Sequence, residues 1–106
     1  MAERNSIRVA LQGLRQTEQK MRRLAEGLEK SRDILNMLSS DMQGVWEGNA
    51  RDCFCESSKE LVGSIQTISE QIQERASQLS EAVAFYENTE RQAEEMVEDL
   101  SADNIF

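Results

Sequence analysis

The chain has 106 residues, no proline, no histidine and a formal net charge of −8, from 12 basic and 20 acidic residues. Lack of histidine removes the commonest general base and the commonest metal ligand, which argues against an enzyme, a metal site or a cofactor. An acidic surface does not suit nucleic acid or anionic lipid, so neither is expected as a partner. The few glycines and aromatic residues disfavour an all-β domain. The composition therefore predicts an all-α interaction protein.

The first predicted element is a long amphipathic helix over about residues 6–43. Two seven-residue series, ten of whose twelve positions are apolar, define a seam for a partner helix. One series is Ile7, Leu14, Met21, Leu28, Leu35 and Met42, and its companion is Ala10, Thr17, Leu24, Ser31, Leu38 and Val45. Leu11 and Ala25 widen the stripe, and Asn5 or Ser6 is the expected N-cap.

A turn is predicted at residues 44–49, where two glycines stand four residues apart. Gly44 and Gly48 indicate a helix stop and a restart, and Asn49 is a suitable N-cap for the second helix. Gly48 is expected where the restart needs an unusual backbone angle. Trp46, the single tryptophan, would by itself be an apolar plug over the end of a bundle. So short a connection makes the two helices antiparallel neighbours.

The second helix is predicted over about residues 50–99, with Asp52 in its first turn and a frayed tail at 100–106. One of its series is Ile65, Ile72, Leu79, Tyr86, Ala93 and Leu100, and the other is Phe54, Leu61, Ile68, Arg75, Ala82, Thr89 and Met96. Folding back about the turn pairs residues whose numbers sum to about 94. Ile7 is then expected near Glu87, with the chain past about residue 88 beyond the hairpin.

The predicted fold is a single all-α domain, an antiparallel helical hairpin over residues 1–106. Two helices along one seam cover each apolar side chain only partly, which favours a second hairpin and a four-helix bundle dimer. A marginally stable monomer that folds on meeting its partner is the alternative. The predicted seam of hairpin and dimer comprises Leu14, Met21, Leu28, Leu35, Met42, Phe54, Leu61, Ile65, Ile68, Ile72 and Leu79.

Charge is divided unevenly along the chain. Residues 1–44 carry a net charge of +2 and residues 45–106 a net charge of −10. Opposite signs attract where the two parts lie side by side, and two solvated faces without mutual effect are the alternative. Cys53 and Cys55 lie about 200° apart around a helix, so we expect unbridged thiols with Cys53 partly buried. An interchain disulfide outside the cell is the alternative.

Targeting signals of the common kinds are missing from the sequence. The first residues lack the apolar run of a signal peptide, and no stretch approaches the roughly 20 apolar residues of a membrane span. We therefore expect synthesis in the cytoplasm and no membrane span. Any export must use a route that recognises another feature of the protein.

Taken in order, these features resemble the Trp-x-Gly family of about one hundred residues, the small ESAT-like proteins exported by type VII secretion systems of Gram-positive bacteria and mycobacteria. The resemblance covers the whole chain and rests on its length, its two-helix plan and the central Trp46-Glu47-Gly48. Ala50 and Phe54, the opening at residues 7–9 and the late Tyr86 with Glu90 add to it. The last pair is similar to the family's export motif, a tyrosine followed four residues later by Asp or Glu. Cys53 and Cys55 depart from the family's pattern.

The resemblance implies a four-helix bundle of two hairpins and secretion without a cleavable signal peptide. Along one helix Trp46 and Tyr86 are about 60 Å apart. In an antiparallel dimer, Trp46 and Gly48 of one subunit come near Tyr86 and Glu90 of the other, which predicts a composite export signal. The implied partners are the type VII export ATPase or another machine component, and a second copy of the chain.

Three alternatives stay open at this point. A heterodimer with a related small helical protein competes with the expected homodimer. A cytosolic adaptor or targeting chaperone, pairing with the helical N-terminus of a larger secreted toxin, would use the same seam and the same turn. A structural coiled coil with no export role would make Trp46 and Tyr86 packing residues alone.

Overall fold

The computed structural model describes the backbone of residues 2–103 and the side chains of residues 5–100. Its elements are helix α1, Ala2–Gln43, and helix α2, Asn49–Asp103, joined by a short turn. They form an antiparallel helical hairpin without a strand in residues 2–103, which confirms the predicted fold of the chain. The chain divides into two compact units. The turn unit is Gln19–Ala76, and the terminal unit combines Met1–Glu18 with Ser77–Phe106.

Both helices extend further than the sequence patterns indicated. Helix α1 already includes Asn5 and Ser6, so neither residue is its N-cap. No proline or glycine occurs in residues 2–12, so nothing local stops the helix from continuing toward the N-terminus. Residues 100–103 of the expected frayed tail belong to α2. Residues 104–106 of that tail lie outside the described residues.

The turn is fixed by backbone hydrogen bonds and one glycine. The amides of Val45 and Trp46 both donate to the Met42 carbonyl oxygen, at 3.1 and 3.0 Å, at the end of α1. Gly48 has a φ of 77°, which confirms the expected unusual angle. Its carbonyl oxygen accepts the first bond of α2, from the Asp52 amide at 3.2 Å. Gly48, not Asn49, is therefore the N-cap, because the N-cap carbonyl accepts the first intrahelical bond.

In the turn unit the helices meet through small side chains. Ala25, Ser69 and Ala76 are fully buried. The Ser69 hydroxyl donates to the Ala25 carbonyl oxygen at 3.2 Å, a direct contact from one helix to the backbone of the other. By contrast, Leu24 is 57% exposed and Leu38 50% exposed. The line of contact between α1 and α2 therefore passes through the residues one position after the companion series of α1.

In the terminal unit Leu11 and Val83 are buried. Arg15 donates two hydrogen bonds to Glu87, from Nε and from a terminal nitrogen, each at 2.6 Å. Arg8 of α1 donates one hydrogen bond, from a terminal nitrogen, to the Glu94 carboxylate of α2.

The ion pairs of the terminal unit join residues that are offset from the expected pairing. The residue numbers of both pairs sum to 102 rather than about 94, whereas those of the buried Leu11 and Val83 sum to 94. Residues past 88 still have partners on α1. Side chains lean toward the N-terminus of their own helix, which points them away from the turn on α1 and toward it on α2. In a contacting pair, the backbone of the α2 residue therefore lies farther from the turn than the backbone of its α1 partner.

No helix within residues 2–103 combines the length and the apolar character that crossing a membrane would need.

Candidate functional site

Trp46 lies in the turn between the helices, where its ring packs against the start of α2. The rings of Trp46 and Phe54 meet edge-on, with centroids 5.4 Å apart and planes at 63°. Trp46 keeps 39% of its surface exposed and Phe54 is half-buried. The tryptophan is therefore held in place by one aromatic neighbour while part of its ring stays open to a partner.

One side of the turn unit is mostly apolar. Each of its residues comes one position before, or three positions after, a residue in the line of contact between the helices. Both positions point to the same side of a helix, and in an antiparallel pair that is the same side of the hairpin for both helices. We call this side the apolar face. It consists of Met21, Leu24, Leu28, Ser31, Leu35, Leu38, Met42, Val45, Arg51, Phe54, Ser58, Leu61, Ile65, Ile68, Ile72 and Arg75.

The opposite side of the turn unit is polar and bonded within the chain. Gln73 donates to the Glu29 carboxylate at 2.7 Å, and the Ser69 hydroxyl, which is shared with the Ala25 carbonyl, lies 3.4 Å from the same oxygen. Arg32 of α1 bonds Gln66 of α2. Polar groups paired in this way gain little from a partner. The apolar face is therefore the side of the turn unit that offers an unused surface.

The predicted seam residues are covered to different degrees within the single chain. Half-buried members are Met21, Leu28, Leu35, Met42, Phe54, Ile65, Ile72 and Leu79. More exposed members are Leu14, Leu61 and Ile68. Whether all of them pack in a dimer stays a prediction.

In the terminal unit the two residues of the predicted export motif differ in exposure. Tyr86 is 58% exposed, and its ring lies edge-on to that of Phe85, with centroids 5.8 Å apart. Glu90 is half-buried, and one of its carboxylate oxygens is fully covered. Glu90 lines a groove of about 500 Å³ together with Arg8 and Arg15 of α1. The tyrosine is thus presented to solvent, whereas the glutamate turns toward the other helix.

Two features of the terminal unit were not anticipated from the sequence. Phe85 is more exposed than Tyr86, at 67%, and contacts its ring. The hydrogen bonds from Arg15 hold the pKa of the Glu87 carboxyl below its ordinary value, and Glu87 in turn raises the pKa of Arg15. The seven-residue spacing of Arg8 and Arg15, matched by Glu87 and Glu94, is the sequence signal for these pairs.

The cysteines lie at the start of α2 near the turn. Both thiols are free, but Cys55 is the half-buried one and Cys53 is exposed, so the expectation for Cys53 was wrong. The Cys55 sulfur accepts a hydrogen bond from Gln43 at 3.5 Å. Among the residues that the structure describes, no cluster of three or more cysteine, aspartate or glutamate side chains could hold a metal ion.

A comparison with protein families finds a match over most of the chain. Residues 6–101 match the family model described as proteins of 100 residues with WXG. The match includes Trp46 and Gly48 of the turn, the whole apolar face, and Tyr86 with Glu90. Neither an individual curated protein nor a solved structure matches the chain significantly.

Proposed function

Because the chain belongs to the WXG100 family of proteins of 100 residues with WXG, we propose that it is a small protein exported by a type VII secretion system. The family match over residues 6–101 is the observation that carries this proposal. The protein is made in the cytoplasm and secreted without a cleavable signal peptide. It has no catalytic activity and acts as a dimeric secretion substrate or export partner.

The apolar face supports the dimer. Its large side chains include Leu24, Leu38, Leu61 and Ile68, each of which keeps about half of its surface exposed in the single chain. Removing such surfaces from water is the main favourable contribution to association. A second hairpin laid on this face would complete a four-helix bundle.

The export signal is a surface composed of both subunits. Tyr86 and Glu90 of one subunit bind the type VII export ATPase or another machine component, and Trp46 and Gly48 of the other subunit form the rest of the surface. Exposure of the Tyr86 ring and of part of Trp46 supports this assignment. A signal of this kind forms only on a folded dimer, so the machinery would select for assembly.

The experiment measures export from the native host, comparing culture medium with cell pellet under a lysis control. We expect Tyr86→Ala and Trp46→Ala to lower secretion at least about tenfold, because each change removes one anchoring aromatic contact from a recognition surface. Phe85→Ala, which removes the neighbouring exposed ring outside the motif, should be secreted like the wild type. Each variant is first shown to be helical and dimeric.

Two results would overturn the proposal. A Tyr86→Ala or Trp46→Ala dimer that is secreted at the wild-type level would remove the composite signal. Wild-type protein confined to the pellet would remove export itself, and would favour a cytosolic adaptor that receives the helical N-terminus of a larger toxin on the same apolar face.

A further inference from the structure

The two outer edges of the turn unit carry opposite charges. On α1, exposed residues that face away from α2 follow one another at spacings of three and four, so they form one line along the helix. This line, which we call the basic stripe, contains no acidic residue and consists of Lys20, Arg23, Gly27, Lys30, Ile34 and Met37. The corresponding exposed line of α2, which we call the acidic stripe, contains no basic residue and consists of Glu56, Glu60, Gly63, Thr67, Glu70 and Glu74.

The charges of both stripes are left largely unused within the chain. Lys20, Arg23 and Lys30 form no ion pair or hydrogen bond with the residues that the structure describes. Glu70 accepts a hydrogen bond from Gln66 of its own helix at 2.9 Å, but no cation of the described part of the chain pairs with the acidic stripe. Both sets of charges are therefore available to another molecule.

Each stripe also has a glycine near its middle. Gly27 and Gly63 lie inside helices, where glycine is less favourable than alanine. A β-carbon at either position would meet open space, so no contact within the hairpin requires a glycine there. On an exposed helix face, a glycine lets a second backbone approach closely. The stripes are thus suited to a neighbouring helix in shape as well as in charge.

The register of the turn unit brings the opposite charges to the same height. Residues of α1 and α2 whose numbers sum to about 94 lie level with one another, as the hydroxyl-to-carbonyl bond between the helices shows. A second copy in the same orientation, displaced sideways, would lay its acidic stripe along the basic stripe of the first. Arg23 then comes level with Glu70 of the neighbouring copy. Lys20 comes level with Glu74 in the same way.

We propose that copies of the protein associate side by side through these two surfaces, with the basic stripe of one copy on the acidic stripe of the next. Because the stripes lie on opposite edges, every added copy exposes one stripe of each kind, so association continues instead of closing at a pair. The contact uses neither the apolar face nor Trp46 and Tyr86, so this inference is independent of the proposed dimer and of export. Exposed charge pairs are individually weak, so the association is concentration-dependent and sensitive to salt.

The first test measures the weight-average mass of the purified full-length chain by sedimentation equilibrium over a range of protein concentrations. We expect the mass to keep rising with concentration at about 20 mM salt and to level off at about 500 mM salt, where exposed charges are screened. Association through apolar surfaces is not weakened by salt in this way. A mass that is equal at both salt concentrations, or lower at low salt, overturns the proposal.

The second test separates the specific contact from general repulsion between acidic copies. Glu70→Arg makes the chain less acidic, so reduced repulsion alone would strengthen association, whereas the proposed contact predicts an association constant at least about fivefold lower at low salt. Arg23→Glu should weaken association to the same extent. Lys59→Glu makes the same change of charge at an exposed position outside both stripes, and should stay within about twofold of the wild type.

The chain that carries Arg23→Glu and Glu70→Arg together restores opposite charges across the contact, so it should associate like the wild type. Stronger association of Glu70→Arg, or no recovery in the double variant, overturns the proposal. A chain that does not associate at low salt but binds an acidic helical peptide through Arg23 would assign the basic stripe to a different protein, and would overturn self-association as well.

The third test uses Gly27→Gln, which places a long polar side chain between the two backbones. Glutamine is a better helix former than glycine, so the free energy of unfolding should rise while the association constant at low salt falls at least about fivefold. This opposite response excludes loss of folding as the cause. Low-salt association of Gly27→Gln at the wild-type level overturns the proposed contact.

Discussion

The turn unit and the terminal unit hold the same two helices together by different means. In the turn unit Ala25, Ser69 and Ala76 are fully buried, and a hydroxyl of one helix reaches the backbone carbonyl of the other. In the terminal unit Arg15 reaches across to Glu87, and both of these side chains keep about two fifths of their surface exposed. Close packing tolerates little change of volume, whereas water weakens an exposed ion pair. Sequence changes should therefore matter most in the turn unit, and pH should matter most in the terminal unit.

The largest expected effect comes from enlarging a side chain in the close contact of the turn unit. Ala76→Leu inserts three carbon atoms at a position with no exposed surface, which forces the helices apart. We expect a loss of about 1–3 kcal/mol in the free energy of unfolding, measured by urea denaturation at fixed protein concentration. Ala84→Leu, at an exposed position of α2, is the matched control and should stay close to the wild type. Equal stability of the two variants would show that the helices of the turn unit are not closely packed.

A smaller effect distinguishes a glycine of the turn from a glycine inside a helix. Gly48 has a φ of 77°, so a β-carbon is strained there, and Gly48→Ala should cost about 1–2 kcal/mol. Gly27 lies inside α1 with open space around the position of a β-carbon, so Gly27→Ala should stabilise the protein by about 0.5–1 kcal/mol. The measurement is the unfolding free energy of both variants. Changes of the same sign in the two variants would contradict the assigned turn geometry.

The hairpin could be predicted from the sequence because its signals are local. The seven-residue apolar series identify two long helices, and Gly44 with Gly48 marks the turn. The line of contact could not be predicted in the same way. Leu24 is more hydrophobic than Ala25, but close approach of two backbones selects the smaller side chain. The sequence pattern therefore could not separate the stripe that joins α1 to α2 from the neighbouring stripe that stays more exposed.

The candidate site likewise combines residues that the sequence identifies with a feature that only the structure shows. Trp46 and Tyr86 could be chosen from the sequence because each is the single residue of its type and the motifs around them resemble a family. The half-burial of Glu90 could not, because it depends on the register between the helices. Because side chains lean along both helices, the residues in contact differ from those whose backbones lie side by side.

The smallest effect tests the charges of the terminal unit. Arg15 holds the pKa of Glu87 below its ordinary value in the folded protein. A carboxyl with a lowered folded pKa contributes stability above its unfolded pKa, about 4.3, and loses that contribution as the pH falls through the folded value. The wild type should therefore lose the contribution of this pair on acidification below about pH 4.3, and Glu87→Gln should lack that part of the loss. The measurement is the melting temperature of both proteins between pH 7 and pH 3.

Glu81→Gln is the matched control for this prediction, because Glu81 is exposed and forms no ion pair with the described residues. It removes the same charge from α2 without removing a partner of Arg15, so its melting temperature should fall with pH as in the wild type. High salt should reduce the difference between the wild type and Glu87→Gln at pH 7, since exposed charges are screened. Parallel pH curves for the wild type and Glu87→Gln would mean that the exposed pair adds nothing to stability. The terminal unit would then depend on Leu11 and Val83 for its packing, and the contrast between the two units would be one of side-chain size alone.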